Sequence, residues 1–277
     1  MVPTLNIIGC GNVGKVLGRL WASSGTFQVQ DILNRSRGSA EAATGFIGAG
    51  AAVDRWEDLR PADFFMIGTP DAEVEAACAA LARSGALRAD AIVFHCSGAL
   101  PSQVLAAVKP AGAAMASVHP IRSFAGAEAV VAGFSGTYCG IEGDGVAVER
   151  LSPAFTAIGA RLVNIDPAYK SVYHSAAVFS SNYLVTLLDV ALDAYARAGV
   201  PRGDALKLME PLVRGTVDNV FRLGTEDALT GPIARGDLGT VVRQYRALSA
   251  WNKGVGALYK RLGKFTAAIA ARKRRAS

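Results

Sequence analysis

The sequence is poor in the residues that build disulfide frameworks and metal centres. Its 277 residues include only four cysteines and three histidines. The cysteines lie far apart and form no C-x-x-C pair, which argues against a zinc site and against a set of stabilising disulfides. We therefore expect free thiols, a reducing compartment and no bound metal. The four residues are Cys10, Cys78, Cys96 and Cys139.

The sequence also lacks an export signal and an uninterrupted apolar run. Its N-terminus has no basic segment followed by a cleavage site, so we expect a cytoplasmic protein. The longest apolar stretch, residues 171–199, contains polar side chains at His174, Asn182, Asp189 and Asp193. This pattern predicts a buried helix rather than a membrane span.

The formal charge of +6 is concentrated at the C-terminal end. Seven basic side chains lie there, and the rest of the chain is close to neutral. No aromatic platform accompanies them, which favours the solvated end of a terminal helix over a nucleic-acid or membrane surface. We expect neither nucleic acid nor membrane as a partner. The basic residues are Lys260, Arg261, Lys264, Arg272, Lys273, Arg274 and Arg275.

Residues 7–14, I-I-G-C-G-N-V-G, place a G-x-G-x-x-G pattern between an apolar strand and an amphipathic helix. Gly9 permits the tight turn, Gly11 lets the backbone approach a pyrophosphate, and Gly14 lets the helix pack on the strand. Free backbone N–H groups at the start of the helix, near Asn12 and Val13, suit an anion. The pattern predicts a dinucleotide site.

The end of the second predicted strand indicates which dinucleotide is bound. NAD enzymes usually carry an acidic residue about twenty positions beyond the last glycine, for the ribose 2′-hydroxyl. Here Asn34, Arg35 and Ser36 occupy that place. Arginine beside a hydroxyl group can hold a 2′-phosphate, and Arg37 adds positive charge, so we predict NADP. NAD bound without an acid stays open, as does Asp31 as the ribose ligand.

Strand and helix patterns alternate over the first part of the chain. This alternation is typical of a doubly wound α/β sheet, which binds ligands at the carboxyl ends of its strands. Those ends carry Gly9, Asn34, Thr69, Ser97 and His119, and Gly68 and Pro70 beside Thr69 are further cofactor candidates. After the first strand, the predicted strands cover residues 27–33, 64–68, 91–96, 116–119, 136–141 and 161–165, with a helix near 146–158.

From Tyr169 onward only helical periodicity is present. We predict one long helix to Ala198, a second helix near residues 202–223, a glycine-rich turn and a final helix from about Thr240. The chain therefore divides into a Rossmann domain, residues 1–165, and an all-helical substrate and dimerisation domain, residues 166–277. A long apolar helix needs more cover than one small domain gives, so we expect a homodimer.

The three histidines occupy different settings. His95 lies inside a predicted strand and is interpreted as a core histidine held by hydrogen bonds. His119 follows a strand and precedes Pro120, which forces an extended exit and would hold the imidazole at the carboxyl edge of the sheet. For His119 a functional role and a structural role are both open.

Lys170, His174 and Asn182 fall on nearly the same face of the predicted long helix. An ammonium, an imidazole and an amide that point the same way could polarise a carbonyl group and deliver a proton as hydride arrives. The alternative is that Lys170 is solvated and Asn182 bonds to a neighbouring helix. The sequence leaves both interpretations open.

Several segments together carry a resemblance to a known family. Beside the glycine motif they are I-G-T-P-D, H-C-S-G-A-L, S-V-H-P-I, Y-H-S-A-A-V-F-S-S-N-Y and L-T-G-P-I-A-R-G-D. The chain resembles a bacterial family of uncharacterised NADP-binding oxidoreductases, related to pyrroline-5-carboxylate reductase and to deazaflavin-dependent NADP reductases. Over nearly its whole length the resemblance implies a Rossmann domain and an all-α domain of the 6-phosphogluconate dehydrogenase type. In many relatives a histidine follows R-G-D, where this chain has Gln244 and Tyr245.

Two more distant resemblances imply residue roles. His119 with Pro120 is similar to the H-P segment of prephenate dehydrogenases, where Ser97 would match a serine that bridges substrate and nicotinamide ribose. Lys170 with His174 is similar to the helical lysine and asparagine of β-hydroxyacid and 6-phosphogluconate dehydrogenases. In this chain a histidine replaces that asparagine.

We predict an NADP-dependent oxidoreductase that moves hydride between the nicotinamide and a small, carboxylated carbonyl or imine compound. Lys170 or His174 would be the general acid, and His119 and Ser97 would position the substrate. The alternatives are a non-catalytic NADP-binding sensor or partner-binding protein, and a prephenate-like dehydrogenase. A pocket bounded by His119, His174 and Lys170 would favour an enzyme, whereas a site filled by side chains would favour a sensor.

Thr230, Arg235 and Asp237 are second-rank site candidates. Their sequence, T-G-P-I-A-R-G-D, equally suits a plain turn in which Asp237 caps the last helix.

Overall fold

The fold was analysed in a computed structural model, which describes residues 1–276. The chain forms two compact units, the first comprising Met1–Ser180 and the second beginning at Ser181. The first contains every strand among the described residues, and the second is helical.

The first unit is built on one eight-stranded sheet. Its strands are β1 (Thr4–Ile8), β2 (Gln28–Leu33), β3 (Ala51–Val53), β4 (Phe64–Ile67), β5 (Ile92–His95), β6 (Ala114–Pro120), β7 (Tyr138–Gly143) and β8 (Arg161–Asn164). They lie in the order β3-β2-β1-β4-β5-β6-β7-β8. All neighbouring pairs are parallel except β6 and β7, which are antiparallel. The order reverses beside β1, which is where such sheets bind ligands.

Helices cover both faces of this sheet, each over its own apolar cluster. In one cluster the Trp21 ring packs edge to face against Phe27 and Phe155, each at 5.2 Å between ring centroids. The Trp21 indole N–H also donates to Ala154 O at 2.9 Å. The helices of this unit are α1 (Asn12–Ser24), α2 (Arg37–Ile47), α3 (Val74–Arg83), α4 (Ala127–Ala132), α5 (Gly145–Ala157) and α6 (Lys170–Ser180).

The predicted doubly wound α/β class is confirmed, and each predicted strand has a counterpart within about two residues at either end. The three-residue β3 carries too little apolar pattern to be predicted. The segment after β5 is a 3₁₀ helix, Ser102–Ala111, and it contains Pro110.

The second unit consists of helices. They are α7 (Asn182–Arg197), α8 (Arg202–Ala228), α9 (Pro232–Arg235), α10 (Leu238–Trp251) and α11 (Lys253–Ala276). The predicted single helix from Tyr169 to Ala198 is wrong, because Ser181 has φ −122° and ψ −71° and separates α6 from α7. The predicted final helix is likewise divided, at Asn252.

The apolar stretch at residues 171–199 is exposed in the single chain. The prediction that this stretch is a buried helix is therefore wrong for the single chain. Val172, Phe179 and Val185 are each about two-thirds exposed. By length and composition alone the helical stretch Pro167–Arg197 could cross a membrane, but one such stretch is weak evidence.

Candidate functional site

The glycine turn after β1 has the geometry that its sequence predicts. Gly9 has φ +76°, and a Cβ atom there would lie 2.6 Å from Thr69 N, so this position requires glycine. Gly14 packs against Ile7 and Cys10, which brings α1 close to β1. Nothing lies within 4 Å of the place where a Gly11 side chain would be. The start of α1 is therefore open to a ligand.

The loop after β2 borders a cavity of about 430 Å³, which is also lined by Gly9, Thr69 and Trp56. Arg35 lines it and has no hydrogen-bonding partner among residues 1–276, whereas Arg37 is bonded to Glu41 and to Asp54. Arg37 therefore adds less free positive charge than its sequence position suggested.

Three further residues of this region have structural partners. Asn34 Oδ1 accepts a hydrogen bond of 2.6 Å from the Cys10 backbone N–H, so Asn34 supports the glycine turn. Asp31 is buried inside β2, where Oδ1 accepts from the Arg60 guanidinium group and Oδ2 accepts from the Arg60 backbone N–H. The alternative that Asp31 binds a ribose is therefore wrong, because its carboxylate is already occupied. Ser36 precedes α2, and its hydroxyl group contacts Ser39.

The residues around the glycine turn fit a dinucleotide. The Thr69 hydroxyl oxygen is buried and has no hydrogen-bond partner in the described chain, although such groups in proteins are almost always bonded. It lies beside Gly9, and Gly68 and Pro70 flank it on the loop after β4. An unbonded hydroxyl group, an open helix start and a free arginine along one edge suit a pyrophosphate and a 2′-phosphate.

Farther along the sheet, polar residues line up across three strands. His95 pairs with Ser117 across β5 and β6, and Ser117 pairs with Glu142 across β6 and β7. We call these three residues the inner row. Two residues later on β6, His119 pairs with Gly140 of β7. Side chains two residues apart in a strand point to the same face, so His119 lies on that face but nearer the carboxyl edge.

Lys170 of α6 completes the inner row. Its side chain is 2% exposed, and its Nζ donates to Glu142 Oε1 at 2.9 Å and to Ser117 Oγ. Glu142 also accepts hydrogen bonds from the Ser102 backbone N–H and hydroxyl group, each at 2.7 Å. The predicted shared face of Lys170 and His174 exists, but the ammonium group of Lys170 is held in a buried ion pair and does not face an open site.

His95 is the core histidine that its position in a strand predicted. Its Nδ1 accepts from the Ser97 backbone N–H at 3.1 Å, and its Nε2 lies 3.3 Å from Pro101 O. Burial, and secondarily the nearby charge of Lys170, lowers the pKa of His95 to about 4. His95 is therefore uncharged at neutral pH.

His119, Tyr173 and His174 meet above Gly98. His119 Nδ1 lies 3.1 Å from the Tyr173 hydroxyl oxygen, and the ring centroids of the two histidines are 5.4 Å apart. A Cβ atom at Gly98 would overlap His174 Nδ1 and would lie 2.8 Å from His119 Nε2. His174 Nδ1 is buried and has no hydrogen-bond partner among residues 1–276. Two imidazole nitrogens are thus packed against Gly98, which leaves no room for a methyl group there.

The pKa shifts of His119 and Tyr173 favour the uncharged forms of both side chains. Burial lowers the pKa of His119 to about 4, and the neighbouring His174 and Lys170 act in the same direction. Burial raises the pKa of Tyr173 to about 12, and a hydrogen bond from the Gly140 backbone opposes this shift. At neutral pH, His119 is a neutral imidazole and Tyr173 keeps its proton.

Ser97 lies beside this group, but its hydrogen bonds are internal. Its hydroxyl group donates to Asp71 Oδ2 at 2.8 Å and accepts from the backbone N–H groups of Ala99 and Leu100. Ser97 therefore orders the loop after β5. Its partner Asp71 lies on the loop after β4 and is exposed to solvent.

The remaining candidates belong to the second unit. Asn182 begins α7, beyond the break at Ser181, so the predicted stripe of Lys170, His174 and Asn182 on one helix is interrupted. Asp237 caps α10 by accepting from the Thr240 backbone N–H at 3.0 Å, which agrees with the plain-turn interpretation. Thr230 and Arg235 flank α9 in the same turn region.

Sequence reasoning missed four residues that shape the site: Gly98, Glu142, Ser117 and Tyr173. Glu142 and Ser117 become neighbours through the antiparallel pairing of β6 with β7. No local sequence pattern predicts this pairing. Tyr173 had a detectable signal, since it lies between Lys170 and His174 at the start of one helix.

Two family models match the chain. A Rossmann-like domain matches residues 3–120, and a domain of unknown function, DUF2520, matches residues 137–266. No curated protein matches this sequence.

Solved structures share the fold over nearly the whole chain. TM1727 from Thermotoga maritima is 27% identical, with 98% of this chain and 99% of that chain covered and a TM-score of 0.78. BF3122 from Bacteroides fragilis is 20% identical, with coverage of 96% and 98% and a TM-score of 0.75. An imine reductase from Myxococcus stipitatus, solved with NADP⁺, is 16% identical, with coverage of 99% and 95% and a TM-score of 0.64.

These similarities confirm the two-part fold that the sequence predicted. The first part of the chain is similar to Rossmann-like domains, and the second part is similar to the DUF2520 model.

Proposed function

We propose that the chain is an NADP-dependent oxidoreductase that acts on the carbonyl or imine group of a small substrate. The observation that carries this proposal is the meeting of His119 and His174 above Gly98, on the same edge of the sheet as the glycine turn. The similarity of fold to an imine reductase solved with NADP⁺ supports it.

The dinucleotide is assigned to the open edge around β1. The backbone of Gly11, Asn12 and Val13 would hold the pyrophosphate, and the Thr69 hydroxyl group would gain a partner. Arg35, with Ser36 and the start of α2, would hold the 2′-phosphate. NAD is the weaker ligand in this proposal, because Arg35 and Ser36 would then have no phosphate to bind.

When bound, NADPH supplies the hydride for reduction of the substrate. His119 donates a hydrogen bond to the carbonyl oxygen or imine nitrogen, which favours charge developing on that atom. His174 faces the same space and orients the substrate. Lys170 supports the site through its bonds to Ser117 and Glu142. It is not the general acid in this proposal, because its ammonium group is paired with Glu142.

The prediction that the substrate carries a carboxylate group receives no support from the charges of Lys170 and His119. Lys170 is neutralised by Glu142, and His119 is uncharged at neutral pH. The proposal therefore extends to uncharged carbonyl and imine compounds as well as to acids. A panel of aldehydes, ketones, 2-oxo acids and cyclic imines, assayed by NADPH oxidation at 340 nm, tests it. NADPH binding without turnover across the whole panel would favour the sensor instead.

Replacing Arg35 by Ala should weaken NADPH binding by about 1.5 to 3 kcal/mol, the contribution of one charged hydrogen-bonding group. NADH binding should change little, because NADH lacks the 2′-phosphate. Titration of cofactor fluorescence measures both affinities. Arg37→Ala is the matched control and should have a smaller effect, since Glu41 and Asp54 already engage Arg37. Equal losses for NADPH and NADH would contradict the role given to Arg35.

A homodimer through the helical unit is part of the proposal. Leu206, Leu212 and Phe221 of α8 are each more than half exposed in the single chain. A cavity of about 550 Å³ between α7 and α8 is lined mainly by apolar side chains. Such surfaces are usually covered in stable proteins. Light scattering at micromolar concentration should give twice the chain mass of 28.8 kDa, and a monomer would contradict the proposal.

A cytoplasmic location is also proposed, supported by the four free cysteines. The expressed protein should remain in the supernatant when a detergent-free cell lysate is ultracentrifuged. Recovery in the membrane pellet would contradict this part of the proposal.

A further inference from the structure

The contact between Tyr173 and His119 determines which nitrogen of His119 carries its proton. A neutral imidazole has one N–H group, and its position depends on the partner of the other nitrogen. The partner of His119 Nδ1 is the Tyr173 hydroxyl group, at 3.1 Å. The other nitrogen, Nε2, lies against Gly98.

The surroundings of Tyr173 decide the direction of this hydrogen bond. Tyr173 lies against Gly140, so closely that a Cβ atom at Gly140 would lie 2.8 Å from the phenol ring carbon that bears the oxygen. The acceptor within hydrogen-bond distance of the Tyr173 hydroxyl group, among residues 1–276, is His119 Nδ1. If Nδ1 carried the proton, the phenolic O–H group would have no acceptor there, so the O–H group donates to Nδ1.

We propose that Tyr173 is a positioning residue that holds His119 in its Nε2–H form and replaces the proton that His119 gives to the substrate. This inference rests on the proposed function. It adds Tyr173 to the site and assigns the ultimate source of the proton to a residue that does not touch the substrate.

The proton balance follows from the charge state of His119. A neutral imidazole can release its only proton readily if its other nitrogen gains one at the same time. With the cofactor bound, the substrate carbon would accept a hydride, and the substrate oxygen or nitrogen would take the proton from Nε2. The Tyr173 O–H bond breaks as Nδ1 takes its proton, which leaves a neutral His119 and a phenolate beside the Gly140 N–H. Solvent then returns one proton to Nε2 of His119, and the Nδ1 proton passes back to Tyr173, which restores the starting tautomer.

The tautomer can be measured without cofactor or substrate. The chain has only three histidines, so long-range ¹H–¹⁵N correlation spectra of the full-length ¹⁵N-labelled protein at pH 7.5 will contain three imidazole patterns. Single His→Gln variants assign them. We expect His119 with the proton on Nε2. A His119 pattern with the proton on Nδ1 would overturn the proposal.

Replacing Tyr173 by Phe removes the donor and keeps the ring. We expect the His119 pattern in this variant to change to a mixture of both tautomers. His95 is an internal reference, because its ring is held by Ser97 N–H and Pro101 O and should not change. Tyr169→Phe is the matched control, since Tyr169 is 65% exposed and only four residues away. An unchanged His119 pattern in folded Tyr173→Phe would also overturn the proposal, and if that variant does not fold, the wild-type tautomer decides.

The two proposals fail in different ways. If no compound is reduced but His119 is in the Nε2–H form, the proposed reaction fails and the hydrogen-bond assignment stands. Once a substrate is found, Tyr173→Phe should lower kcat by about a hundredfold, the usual scale of acid–base assistance, with little change in KM. A kcat equal to that of the Tyr169→Phe control would overturn the role of Tyr173 in proton supply.

Discussion

Gly98→Ala is expected to abolish most of the turnover while leaving the protein folded and its NADPH affinity intact. Gly98 does not have a positive φ, so its backbone conformation is accessible to alanine. A Cβ atom there overlaps His174 Nδ1 and lies 2.8 Å from His119 Nε2, so at least one ring must move. A displacement of about 1 Å at a reacting group can cost about a hundredfold in rate, and we expect a loss of this size or larger.

The matched control is Gly45→Ala in α2. Gly45 also has no positive φ, and nothing lies within 4 Å of the Cβ atom that the substitution adds. This variant should keep wild-type turnover. NADPH oxidation with a substrate from the panel measures the rate, and cofactor fluorescence measures binding. Turnover of Gly98→Ala within about threefold of the control would show that the space above Gly98 is not the reaction site.

The sequence predicts those parts of the site whose geometry is determined within one short segment of the chain. The turn at Gly9 is an example, because the strand, the glycine spacing and the following helix are contiguous and their joint meaning is narrow. Arg35 is another, since its place depends only on the end of β2. Both could be assigned to the cofactor edge before any tertiary structure was known.

The inner row could not be predicted because it depends on pairing between distant strands. Ser117 and Glu142 are 25 residues apart and become neighbours through the antiparallel register of β6 and β7. A lysine on a helix surface and a lysine in a buried ion pair have the same sequence pattern, so the sequence could not show that Lys170 is paired with Glu142. The long helix failed for a similar reason: the break at Ser181 has no proline or glycine to signal it.

The buried pair makes Lys170→Met a strongly destabilising substitution. The substitution leaves the Glu142 carboxylate with only the two Ser102 donors. Because Glu142 is only 5% exposed, water cannot replace the lost partner. Removing one partner of a buried ion pair usually costs about 3 to 5 kcal/mol, because the other charge is left without compensation. We expect a loss of this size in the free energy of unfolding, measured by urea denaturation followed by circular dichroism.

Two further variants separate this explanation from a simple loss of packing. Lys260→Met changes an exposed lysine and should leave the unfolding free energy within about 0.5 kcal/mol of wild type. Adding Glu142→Gln to Lys170→Met removes the unpaired charge and should recover part of the loss, since uncharged groups are less costly to bury. If Lys170→Met were as stable as wild type and only turnover fell, the ammonium group would be free to reach a substrate. Lys170 would then be the general acid, and His119 would only position the substrate.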